Sequence, residues 1–75
     1  MKIDGKMIRL LRLSEELTQE QLAERLGIGA VTTISNAETG YRKVSDSLKV
    51  KLIKAFNLTE EKIEELKLME KVIYT

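Results

Sequence analysis

Leu17-Thr18-Gln19-Glu20-Gln21-Leu22-Ala23-Glu24-Arg25-Leu26-Gly27 decides how the rest of the chain is read. Thr18 stands three residues before Gln21. At that spacing a capping hydroxyl and a Gln side chain each satisfy the other residue's backbone N–H. Leu17 before the cap and Leu22 just inside it can close a hydrophobic staple. Leu22, Ala23 and Leu26 recur at helical spacing, and Gly27 supplies the left-handed turn that ends a helix. A helix of about eight residues is marginal alone in water, so this one must lean on neighbours.

Gly27 and Gly40 bracket the next segment, whose inward pair is Ile34 and Ala37 at i, i+3. Val31, Thr32, Thr33, Ser35 and Asn36 surround that pair, and Thr and Ser are indifferent helix formers, so propensity does not select this helix. A short helix, a Gly-containing turn and a second short helix cross steeply. Such a unit lets the second helix protrude into a DNA major groove while the first braces it across the backbone. Ala23 supplies the small residue where the helices touch, Gly27 the turn residue tolerating positive φ, and Ile34 and Ala37 the apolar anchors.

Outward from this unit the punctuation continues. Asp4 caps a first helix whose stripe is Met7, Ile8 and Leu11, with Leu10 beside it, and which ends near Glu15 or Glu16. Tyr41-Arg42-Lys43-Val44 is a basic loop. Ser45 caps a fourth segment with Leu48, Leu52, Ile53 and Phe56 inward, and Asn57-Leu58 breaks it. Thr59 caps a fifth, with Glu60 and Glu61 in the first turn, where the helix dipole favours acids. Ile63, Leu66, Met69 and Ile73 line one face of it, and Leu68 and Val72 lie beside that face. The expected architecture is all-α: five short helices in a bundle, one domain over residues 1–75.

Composition narrows the function classes. With 75 residues there is little room for both a core and an enclosed active site. Absence of Cys and His rules out disulfides, thiolate nucleophiles, imidazole bases and Cys/His zinc sites. Glu60, Glu61, Glu64 and Glu65 read as helix-surface charges interspersed with Lys62 and Lys67, not as a catalytic carboxylate pair. No enzyme activity, cofactor or metal is expected. No apolar run reaches the length of a signal or a membrane span, so a cytoplasmic protein is expected. The 13 basic and 12 acidic residues leave a net charge of only +1, which alone argues mildly against a nucleic-acid partner. Resolved along the chain the balance differs. Residues 30–56 hold five basic residues against two acidic ones, and residues 57–75 hold three against five.

Gly5-Lys6-Met7-Ile8-Arg9-Leu10-Leu11-Arg12, followed by residues 17–28, then Ile34-Ser35-Asn36-Ala37-Glu38-Thr39-Gly40 and, more loosely, residues 52–58, resembles the Cro/phage-repressor (XRE-like) helix-turn-helix family. The resemblance covers residues 3–66 and leaves a helical extension over 67–75. It implies a lambda-repressor-like bundle of four or five helices that binds operator DNA, usually as a dimer, in a bacterial or phage-encoded regulator acting on the nucleoid. Its roles carry over residue by residue. Gln19 resembles a phosphate-touching Gln of the bracing helix. Val31, Thr32, Thr33, Ser35 and Asn36 occupy base-reading positions. Tyr41, Arg42 and Lys43 resemble the phosphate-contacting loop, with packing of Tyr41 on the bundle as the other reading. Arg12 and Glu38 resemble a structural ion pair between the first and third helices.

The chain departs from the family pattern in three places. One extra residue lies between Gly27 and Gly40. Matching backward from Gly40 keeps Ile34 and Ala37 inward, places the insertion within Ile28-Gly29-Ala30, and leaves the recognition helix, at about 31–38, without its usual Ser/Thr cap. Glu16 stands where the family often has Gly, and Lys43-Val44 replaces the usual Asn-Pro. Beyond the match, Leu68, Met69, Val72, Ile73 and Tyr74 form either a cap on the core or, the favoured reading, a dimer surface. The leading expectation is a transcriptional repressor. The alternative is an antitoxin-like or accessory interaction module with the same fold and the apolar C-terminal helix as its partner surface.

Overall fold

In a computed structural model of the protein, residues 2–73 are described, with Ile73 described by its backbone only. Among them five helices follow one another: α1 (Gly5–Ser14), α2 (Gln19–Arg25), α3 (Val31–Thr39), α4 (Asp46–Phe56) and α5 (Glu60–Ile73). There is no strand among the described residues.

The sequence signals act through their expected chemistry. Asp4 accepts from the Met7 N–H at 2.9 Å and opens α1. Thr18 and Gln21 form the reciprocal capping box, at 3.1 and 2.8 Å. Ser45 accepts from the Leu48 N–H at 3.1 Å, and Thr59 from the Lys62 N–H at 3.2 Å. Helix α3 lacks such a cap: Ala30 is extended, with no side-chain bond to the helix N-terminus.

Helix endings explain one departure in the sequence. At the end of α2 the Ile28 N–H donates to the Ala23 carbonyl at 2.8 Å and the Gly27 N–H to the Glu24 carbonyl at 3.1 Å, with Gly27 at φ 70°. This is a Schellman closure. The end of α1 repeats it, Leu17 N–H to Arg12 carbonyl at 3.0 Å and Glu16 N–H to Leu13 carbonyl at 3.1 Å. There the left-handed residue is Glu16, at φ 55°. The turn geometry demands positive φ, and Glu16 adopts it against its Cβ.

Ile8, Leu11, Leu22, Ile34, Leu52, Ile63 and Leu66 form the centre of one buried cluster drawn from all five helices. Helix α1 packs on α3 and on α5, and α2 packs on α3. Leu17, Ile28, Val44, Ile53, Phe56 and Met69 flank this core. Ile28 thus anchors the turn between α2 and α3, and the exposed Gly29 and Ala30 accommodate its length. Val44 tethers the α3–α4 loop in place of a proline. The Arg25 guanidinium lies 5.3 Å from the Phe56 ring centroid, linking α2 to the end of α4.

Gly5 has a role that composition did not reveal. A Cβ built on it would stand 1.9 Å from the Ala37 carbonyl oxygen. The first turn of α1 therefore rests directly on the backbone of α3, and only glycine permits that approach.

The strain at Glu16 gives a quantitative expectation. A left-handed non-glycine residue costs about 1–2 kcal/mol, partly offset in a variant by the greater unfolded-state freedom of glycine. Glu16→Gly should raise stability by about 0.5–1 kcal/mol in urea unfolding, and a loss of stability would contradict this account of the turn.

Candidate nucleic-acid interface

The core fixes which faces of α3 remain outside. With Ile34 fully buried and Ala37 nearly so, helical spacing places Thr32 and Asn36 outward at i, i+4. Thr32 and Thr33 are exposed and Asn36 is half-buried. Among the described residues the side chains of Thr32, Thr33 and Asn36 have no hydrogen-bond partner, so their donors and acceptors are available to a ligand. Val31 and Ser35 are half-buried and share an edge of the helix with Glu38.

Thr32, Thr33 and Asn36 line one shallow groove together with Arg42, Lys43 and Ser45. The structure therefore brings three of the five base-reading candidates beside two of the phosphate candidates, and leaves Val31 and Ser35 outside that groove. The backbone makes the juxtaposition. Gly40 ends α3 at φ 79°, and the Arg42 N–H returns to the Asn36 carbonyl at 3.2 Å. That bond folds the basic loop back along the helix. Tyr41 is 77% exposed, so packing on the bundle is not what holds it.

The edge of α3 that carries Glu38 is occupied by a polar network. Arg12 Nε donates to Glu38 Oε2 at 2.7 Å and Arg12 Nη2 to Glu38 Oε1 at 3.0 Å, a two-point fork. The third guanidinium nitrogen, Nη1, donates to the Leu17 carbonyl at 3.0 Å. Gln19 Nε2 donates to Glu38 Oε1 at 3.4 Å. The side chains of Arg12 and Glu38 are 14% and 4% exposed. One guanidinium thus joins α1, the chain entering α2, and α3. The sequence reading paired Arg12 with Glu38 but missed Leu17 and Gln19, because a hydrogen bond to a backbone carbonyl, or from a Gln on another helix, leaves no pattern in spacing.

The C-terminal helix divides. Met69 is half-buried against the core, whereas Leu68 and Val72, at i, i+4, are 65% and 81% exposed. The side chain of Ile73, and Tyr74 as a whole, lie outside the described residues. Glu60, Glu61, Glu64 and Glu65 are all exposed on α5. Among the described residues no cluster could hold a metal ion, and no helix is long and apolar enough to cross a membrane.

A family model described as helix-turn-helix matches residues 8–63, most of the chain and all of the interface. No curated protein and no solved structure gives a significant match.

Removing one member of a buried ion pair leaves a desolvated charge, which costs about 3–5 kcal/mol, whereas replacing both by apolar groups is often neutral. Arg12→Ala should therefore lose about that much in urea unfolding, and Arg12→Met combined with Glu38→Leu should recover most of it. Equal losses in the two variants would mean that the pair itself, not the stranded carboxylate, sets the cost.

Proposed function

The chain belongs to the Cro/phage-repressor-type helix-turn-helix family of DNA-binding transcriptional regulators, and from that premise we propose that it is a repressor that binds operator DNA as a dimer. In this reading α3 enters the major groove. Thr32, Thr33 and Asn36 meet base edges, and Val31 and Ser35 reach the flanking bases along the other edge of the helix. Gln19 contacts one phosphate strand, and Tyr41, Arg42 and Lys43 contact the other. The observation that carries the proposal is the single groove shared by Thr32, Thr33, Asn36, Arg42 and Lys43. It sets unpartnered base-reading chemistry beside cations, as groove recognition requires. Repression is the simpler outcome because occupancy of a site suffices, whereas activation needs a further contact. The site of action is the bacterial or phage-infected nucleoid, in the cytoplasm.

Dimerisation is supported by the exposed Leu68–Val72 face and by charge. Within residues 30–56 the excess is three positive charges, which makes a modest electrostatic footprint for one domain. Two copies would bind half-sites about 34 Å apart, one helical turn. The acidic α5 is expected to face away from phosphate. The same exposed face also supports the second reading, an antitoxin-like or accessory module that binds a different protein there.

Selection from a pool of random duplexes at two salt concentrations tests the proposal. Enrichment of one short sequence with A·T pairs at key positions is expected, since α3 carries no Arg to read guanine. Asn36→Ala or Thr32→Ala should relax preference at one base pair by about 1–3 kcal/mol with unchanged thermal unfolding. Equal loss for every sequence would sink the base-reading assignment. In sedimentation, Leu68→Lys with Val72→Lys should convert a dimer to a monomer and weaken operator binding. A wild-type chain that is monomeric at operator-binding concentrations would refute the dimer.

A further inference from the structure

A second groove continues from the first around the Arg42–Lys43 loop. It is lined by Lys2, Asp4, Arg42, Lys43 and Lys49, and it shares Ala37, Arg42 and Lys43 with the base-facing groove. Its four cations come from three separate places in the chain: the segment before α1, the α3–α4 loop and the first turn of α4. None of the four has an acidic partner among the described residues. Asp4, the one acid in the lining, is committed to capping α1 through the Met7 N–H.

The convergence is fixed by packing. Ile3 is 3% exposed and anchors the segment that carries Lys2. Gly5 sets the start of α1 against the Ala37 carbonyl, which brings Lys2 to the end of the recognition helix. Lys49 is half-buried and lines the groove, so packing of its stem keeps it beside Arg42 and Lys43.

We infer that Lys2 and Lys49 extend the DNA contact beyond the recognition helix, forming with Arg42 and Lys43 a seat for backbone phosphate of the duplex. This rests on the reading of α3 as the groove-binding helix. The shared side chains Arg42 and Lys43 make the phosphate track continuous from the base-reading face to the N-terminal segment. Phosphate contacts carry no sequence information, so the seat adds affinity and orientation without changing the preferred operator.

Each phosphate contact contributes about 0.9 to the slope of log K against log salt. Operator binding by Lys2→Ala, Lys49→Gln and the double variant, measured from 50 to 200 mM salt, should show slopes lowered by about 1.8, 1.8 and 3.6 for the dimer, one contact per substitution in each copy. The enriched sequence and the unfolding midpoint should stay the same. Lys67→Ala, on α5, serves as the control with an unchanged slope. Unaltered slopes in the Lys2 and Lys49 variants of a chain that still selects its operator would overturn the seat alone. Absence of salt-dependent duplex binding by the wild type would overturn the seat and the proposed function together. NMR titration with inorganic phosphate at matched ionic strength separates the sources of anion. Saturation at Lys2 and Lys49 by phosphate alone, with none added by duplex, would assign the seat to a free anion and overturn its role on DNA.

Discussion

The Arg12 guanidinium is the point on which the geometry of the candidate interface depends. It spends its donors on the Glu38 carboxylate and on the Leu17 carbonyl, and so joins the scaffold helix, the entry to the bracing helix and the recognition helix. Both charges are nearly removed from water, so the pair tolerates little displacement. Neither charge can recover its hydration without opening the bundle. Gln19 adds its amide to the same carboxylate. The side chain proposed to touch phosphate is therefore held against α3 by that bond.

Apolar packing gives this polar clasp its frame. Ile34 and Ala37 set the rotation of α3 about its axis, and Gly5 sets how closely α1 approaches it. Rotation decides which side chains face outward, and close approach decides where the basic loop and the N-terminal segment lie. The clasp alone could not fix either, because hydrogen bonds accepted by one carboxylate hold a single place on α3, not the axis of the helix. The extra residue between Gly27 and Gly40 is absorbed because Ile28 holds the turn to the core, while Gly29 and Ala30 remain in solvent and bear no packing.

Much of the fold was legible in local chemistry. Asp4, Thr18, Ser45 and Thr59 cap the helices they precede, and Gly27 and Gly40 end helices at positive φ. Matching backward from Gly40 placed Ile34 and Ala37 inward, and the core requires that register. Glu16 was visible as a departure, but the Schellman closure explains it: the turn needs a left-handed residue, and glutamate supplies one under strain. The site was legible in part. Arg42 and Lys43 were readable as a basic loop beside α3, the helix proposed to read bases. The separation of Val31 and Ser35 from Thr32, Thr33 and Asn36 was not, because it depends on which edge of α3 the clasp occupies.

The sequence by itself determined the order of helices, their caps and ends, the inward face of each, and the family to which residues 8–63 belong. These follow from interactions among residues a few positions apart, and such spacing is written in the chain. Only the tertiary structure decided that Gly5 touches Ala37, that Gln19 and Leu17 join the Arg12–Glu38 pair, and that Lys2 and Lys49 converge with Arg42 and Lys43. Those contacts link residues far apart in sequence, and their geometry exists only once the core has set each helix against the next. A net charge near zero therefore said little about DNA. What matters to a phosphate backbone is where the fold places the unpaired cations.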